Sequence, residues 1–183
     1  MTLLPYPSPS TAAELGDRAA RIDRLLLDVD GVLTDGRVIY GGDGTELKHF
    51  HVRDGSGLKF WHQTGKRTAV ISGRSSPAVA YRARELGIEF LVQGCSDKLA
   101  AFRTLGLEPD RVCAIGDDLP DLPVMLRCGL AVAVADACPE VKRAAHWVAP
   151  YPGGKGAVRA AVEWLLSLRG EWDDLTDRYR IAG

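Results

Sequence analysis

The chain has 183 residues, 46% of them hydrophobic and 26% charged, with a formal net charge of −1. That is enough chain for one domain with a sizeable core, and too balanced in charge for a surface built to hold nucleic acid. No stretch approaches the roughly 18 apolar residues of a membrane span, and the four cysteines (Cys95, Cys113, Cys128 and Cys138) form neither a C-x-x-C pair nor a zinc spacing.

Residues 1–10 carry three prolines and two serines and are expected to form a mobile arm. They lack the charged and long apolar regions of a signal peptide, so a cytoplasmic location is expected. Ser10 and Thr11 are cap candidates for a helix over 12–20. RLLLDVD (24–30) is a short apolar run ending in carboxylates, the pattern of a strand buried on both faces. In 36–53, two β-prone runs flank Gly41-Gly42-Asp43-Gly44, a hairpin signal.

After that the pattern alternates. Strands are expected over 68–73, 88–94, 111–117, 130–135 and 146–149. Helices are expected over 76–87, 97–106, 122–129, 139–145 and 156–168. Repeated alternation predicts a doubly wound α/β domain, an open parallel sheet with helices on both faces. The whole of 1–183 reads as a single domain, and the polar tail 169–183 reads as loose.

In such sheets the ligand lies beyond the carboxyl ends of the strands. The first strand there delivers Asp28 and Asp30, the second Ser72 and Arg74. The third is followed by Lys98, and the fourth by Asp117 and Asp118 with Asp121 nearby. Taken singly, several have bland explanations. Ser72 could cap a helix, Lys98 could be an exposed helix lysine, and Asp118 and Asp121 could be acids favoured at a helix N-terminus.

Together these residues suit phosphoryl transfer. A carboxylate can attack phosphorus and split one hard step into two. Clustered carboxylates suit Mg²⁺, a hard ion that neutralises charge and orients the attack. Lys98 would neutralise the transferring group, and Ser72 with backbone N–H groups would bind its oxygens. An acid two residues after the nucleophile can protonate the leaving alkoxide and then activate water.

DVDGVLTDG (28–36), SGR (72–74), Lys98 and GDDLPD (116–121) resemble, in order, the four motifs of the haloacid dehalogenase superfamily. The resemblance spans about 22–165 and implies Asp28 as nucleophile and Asp30 as acid and base. It also implies Mg²⁺ on Asp28, the Asp30 backbone carbonyl and Asp117. The second acid, Asp30, favours a phosphatase over a dehalogenase. ELKHFHVRDG (46–55), RARELGI (82–88), AVADA (133–137) and GGKGAVR (153–159) resemble more closely the 3-deoxy-D-manno-octulosonate 8-phosphate (KDO 8-phosphate) phosphatases.

That family implies no separate cap domain and a homotetramer assembled through the 36–53 hairpin, with a neighbouring subunit covering each site. It implies substrate contacts at Asp30, His51, Val52, Arg53, Asp54, Gly55, Lys59, Arg74, Arg82, Lys98 and Asp118. The substrate would be a phosphorylated sugar acid, KDO 8-phosphate or else a nine-carbon 2-keto-3-deoxynonulosonate or N-acylneuraminate 9-phosphate. A catalytically silent module is the alternative of another class, which the retained Asp28, Asp30, Lys98 and Asp117 disfavour. His49, His62 and His146 read as structural, and Trp61 and Trp164 as helix packing.

Overall fold

The computed structural model describes residues 6–7 and 10–180. Most of the arm expected over 1–10, and the last three residues of the tail, lie outside the described residues. Helix α1 (Ala12–Arg21) begins at a capping box. The Thr11 hydroxyl accepts the Glu14 N–H, and the Glu14 carboxylate accepts the Thr11 N–H.

Six parallel strands form one sheet: β1 (Arg24–Leu27), β4 (Arg67–Ile71), β5 (Phe90–Val92), β6 (Val112–Gly116), β7 (Leu130–Ala133) and β8 (Trp147–Val148). Their order is β5-β4-β1-β6-β7-β8. Strand β1 is therefore central: Leu27 pairs with Val70 on one side and Ile115 on the other. The chain winds outward from β1 both ways, which makes its carboxyl end the switch point where a cleft opens. Leu25, Leu27, Val70, Val112, Leu130 and Val132 are all buried, as a strand covered on both faces requires.

The flanking helices are α2 (Val52–Gln63), α3 (Pro77–Leu86), α4 (Lys98–Thr104), α5 (Leu122–Met125), α6 (Pro139–Ala144), α7 (Ala157–Leu168) and α8 (Trp172–Asp177). Within 36–53 the paired strands are short: β2 (Ile39–Tyr40) runs antiparallel to β3 (Glu46–Leu47), and Val52 and Arg53 already belong to α2.

Two features differ from the sequence expectation. Helix α2 is given no bounds by the sequence, although Trp61 reads there as helix packing. Its VRDGSGLKFWHQ contains two glycines and no side-chain cap, so propensity argues against it. Packing against backbone supplies the reason for Gly57, whereas Gly55 faces the end of a side chain. A Cβ on Gly57 would sit 2.9 Å from Arg159 Cα on α7, and one on Gly55 would sit 2.3 Å from Arg82 Nη2 on α3. Leu58 and Trp61 are fully buried, and the Trp61 indole N–H donates to the Arg67 carbonyl at 2.9 Å.

The tail is not loose as far as Arg180. Trp172 and Leu175, three residues apart, share one face of α8 and turn it onto the domain, with Leu175 buried. Glu171 pairs closely with the buried Lys66, and the Arg169 guanidinium donates to the carbonyls of Ala19, Ala20 and Ile22.

Candidate active site

Asp28 is the first residue beyond β1. Its N–H still donates to the Ile115 carbonyl at 3.2 Å, so the strand ladder fixes it, and its side chain is 9% exposed. Lys98 opens α4, where Asp97 caps the helix by accepting the Ala100 N–H at 2.9 Å. The Lys98 ammonium lies 2.7 Å from Asp28 Oδ1 and 2.7 Å from Asp121 Oδ1. Asp117 is the first residue beyond β6. Oxygens of Asp28, Asp117 and Asp121 lie within 4.8 Å of one another.

Three carboxylates against one ammonium leave two negative charges uncompensated, and the ionisation behaviour reflects it. Burial, with the Asp121 charge beside it, pushes Asp28 up to about 6 although the Lys98 ion pair pulls it down. Burial and the charges of Asp28 and Asp121 push Asp117 up to about 8. Burial would lower Lys98, but Asp28 and Asp121 outweigh it and hold the ammonium charged.

The Asp117 Oδ1 atom is buried without a hydrogen-bond partner. Gly31, at φ +98°, comes so close that a Cβ there would lie 2.0 Å from Asp117 Oδ2. An orphaned carboxylate oxygen, an oxygen-only donor set and two surplus negative charges fit a hard divalent cation such as Mg²⁺.

Asp121, noted in the sequence beside the fourth strand end but given no site role, organises this corner. Its Oδ2 accepts the N–H groups of Asp117 and Asp118 at 3.1 and 3.3 Å, while its Oδ1 takes Lys98. The Asp118 carboxylate accepts the Leu119 N–H at 2.8 Å, closing the short 3₁₀ turn Leu119–Asp121.

Ser72 follows β4 and is buried. Its hydroxyl oxygen accepts the Arg74 N–H at 3.2 Å, which leaves the hydroxyl proton free to donate. A cleft of about 400 Å³ lies over these groups, lined by Asp28, Asp30, Ser72, Gly73, Arg74, Cys95, Ser96, Lys98, Asp117, Asp118, Pro120 and Asp121.

The structure therefore brings Asp28, Asp30, Ser72, Arg74, Lys98, Asp117 and Asp118 together. It does not bring His51, Val52, Arg53, Asp54, Gly55, Lys59 or Arg82 to the cleft of the same chain. Asp54 is 1% exposed and caps α7, its carboxylate accepting the N–H groups of Gly156 at 3.1 Å and Arg159 at 2.9 Å. Arg82 lies against Gly55, pairs with Glu85 at 2.8 Å and sits over the Phe50 ring. Val52 is 78% exposed at the start of α2.

The Asp30 carboxylate faces Arg74 and Lys48, which lies in the ELKHFHVRDG segment but has no role assigned from the sequence. Arg74 also donates to Glu46 at 2.6 Å. The alternation Glu46-Leu47-Lys48 was the available signal, since it puts both charges on one side of an extended segment.

A family model for haloacid dehalogenase-like hydrolases matches residues 97–160. The KDO 8-phosphate phosphatase of Yersinia pestis is 44% identical over 169 residues, covering 90% of each chain. Its Escherichia coli K12 counterpart is 44% identical over 167 residues, covering 89% of each. A probable phosphatase from Pseudomonas syringae superimposes with a TM-score of 0.89 at 42% identity, over 93% of this chain and 99% of that one. The Moraxella catarrhalis KDO 8-phosphate phosphatase, solved with magnesium, phosphate and KDO, superimposes with a TM-score of 0.87 at 39% identity, over 91% and 98%. With the motif residues gathered at one sheet edge and identity of this level along nearly the whole chain, the protein belongs to the KDO 8-phosphate phosphatase family of haloacid dehalogenase-like hydrolases, which are phosphoric monoester hydrolases.

Proposed function

We propose that the chain hydrolyses KDO 8-phosphate to KDO and inorganic phosphate, with Mg²⁺ as cofactor and an aspartyl-phosphate intermediate on Asp28. The observation that carries this reading is the Asp28 carboxylate, buried at the central strand end between Lys98 and Asp117, in a chain of this family. Asp28 attacks phosphorus, and the bond from phosphorus to the sugar oxygen breaks. Asp30 gives its proton to that oxygen, then takes one from the water that cleaves the aspartyl-phosphate. Lys98 keeps Asp28 ionised and faces the transferring group, and the Ser72 hydroxyl proton and loop N–H groups take phosphate oxygens.

Asp28, the Asp30 carbonyl and Asp117 would hold Mg²⁺, which would supply charge neutralisation for the attack on the phosphate. Arg74, beside Asp30 in the cleft, is suited to the sugar carboxylate. The chain works as a single domain, and its neighbours in a homotetramer bring His51, Val52, Arg53, Lys59 and Arg82 to each other's clefts, whereas the buried Asp54 and Gly55 stay committed to their own chain. Val38, Tyr40 and Leu47 on the ribbon are exposed apolar residues, which supports its use in assembly. Among the described residues no helix is long and apolar enough to cross a membrane, and the cytoplasm is the proposed location.

The test is phosphate release from KDO 8-phosphate and from nine-carbon 9-phosphates, with Mg²⁺ and with EDTA. We expect magnesium-dependent release with the higher kcat/KM on the eight-carbon ester. Asp28→Asn should abolish release while the protein stays folded. Full turnover by that variant would refute the nucleophile, and a preference for the longer sugars would refute the substrate.

A further inference from the structure

The ribbon β2–β3 carries a buried charge that the chemistry above does not use. Glu46 and Lys48 project from one side of their extended segment, while Leu47 between them points outward and is 50% exposed. The Lys48 side chain is 1% exposed. Its ammonium makes a close ion pair with Asp30 Oδ1 and lies 3.4 Å from Glu46 Oε1. Glu46 Oε1 accepts from Arg74 Nη2 at 2.6 Å, and Arg74 Nε lies 3.7 Å from Asp30 Oδ2. Two anions and two cations thus alternate in a closed ring. A lysine this deeply buried is destabilising unless well paired, and its closest partner is the carboxylate read above as the acid.

We infer that Lys48 is a positioning residue for Asp30, a conclusion that rests on the proposed role of Asp30 as acid and base. A general acid works only when its proton is within hydrogen-bond reach of the leaving oxygen. Asp30 sits on the loop beside Gly31, whose φ of +98° marks a turn rather than a rigid strand. Lys48 takes Oδ1 at close range, whereas Arg74 approaches Oδ2 only to 3.7 Å. The ring therefore fixes the rotation of the carboxyl group: with Oδ1 held by Lys48, Oδ2 is the oxygen left to carry the proton when Asp30 is in its acid form. The clamp comes from the ribbon, so the seating of the ribbon sets the geometry of the acid.

The distinguishing experiment varies the leaving group. A sugar alkoxide must be protonated as it leaves, whereas 4-nitrophenolate leaves readily without a proton. The kcat/KM value covers the steps up to formation of the aspartyl-phosphate. The ratio of kcat/KM on KDO 8-phosphate to that on 4-nitrophenyl phosphate thus reads the acid step. Lys48→Met is expected to lower this ratio about tenfold or more. In an Asp30→Asn background the same substitution should leave the ratio where Asp30→Asn alone puts it. Lys48→Gln is read in the same way if the methionine variant does not fold.

An unchanged ratio in a folded variant overturns the inference, and so does a further drop in the Asp30→Asn background, which would mean that Lys48 touches the sugar directly. If the unaltered protein releases phosphate from neither ester, the proposed function fails and this inference falls with it. If it hydrolyses both, the ratio alone decides.

Discussion

Raising the pH should weaken the metal-stripped protein, and Asp28 sets the size of the effect. Its carboxyl group is pushed from an ordinary 3.8 up to about 6, first by burial and then by the Asp121 charge, with Lys98 opposing. Between those values the folded chain keeps a proton that the unfolded chain has released. The folded state then binds more protons, so stability falls as pH rises. A displacement of about two units is worth about 3 kcal/mol, at about 1.4 kcal/mol per unit. The loss begins near 3.8, is nearly complete just above about 6, and persists at higher pH where both states are ionised. Asp117, pushed up to about 8, extends the decline further, but it is partly open to water and its share is smaller for screening.

Acids such as Glu46 and Glu171, whose values are lowered by their cationic partners, give an opposite slope near pH 4. The useful quantity is therefore the difference between the unaltered protein and Asp28→Asn. Urea denaturation in EDTA, from about pH 4 to about pH 8, should show that difference falling by about 3 kcal/mol for Asp28 itself, together with the part of the Asp117 shift that Asp28 causes. Mg²⁺ added at the upper end should recover stability, because it binds the folded anionic set and not the unfolded chain. A difference that stays flat, or grows with pH, would refute the account of Asp28 as a carboxylate held against its own desolvation.

Three packing predictions concern α2, α1 and α8. Gly57→Ala should cost about 1–3 kcal/mol in urea denaturation, because the new Cβ meets the Arg159 backbone at 2.9 Å. Gly16→Ala in α1, where an added Cβ meets nothing within 4 Å, should instead gain up to about 1 kcal/mol from helix propensity. Leu175→Ala should cost about 2–5 kcal/mol if α8 is part of the cooperative core, and almost nothing if the tail is loose.

What could be read from the sequence and what could not divide along a physical line. A parallel strand buried on both faces must be a short apolar run, so β1, β4, β6 and β7 were recognisable, and so was the order of residues at their carboxyl ends. The backbone itself delivers Asp28, Ser72, Lys98 and Asp117 to one edge, and no distant side chain is needed to put them there. Helix α2 was hidden for the opposite reason. Its glycines lower intrinsic propensity, and Gly57 is needed only because the α7 backbone comes close, a fact of tertiary packing. Helix α8 was hidden by its acids, since only Trp172 and Leu175 face the domain. Asp54 looked like a substrate contact because its neighbours in sequence carry a resemblance. Within one chain its carboxylate is committed to the start of α7, about a hundred residues away.

Lys48 belongs to this second class, and it alters how the site is understood. A motif places Asp30 two residues after Asp28, but the backbone there does not fix which way the carboxyl group turns. That direction is set by an ammonium eighteen residues away on a ribbon outside the sheet. Asp28, the proposed nucleophile, is held by the fold's central strand, whereas Asp30, the proposed acid, is held by an appended element. Variation in the ribbon should therefore change leaving-group chemistry more readily than it changes the attack on phosphorus.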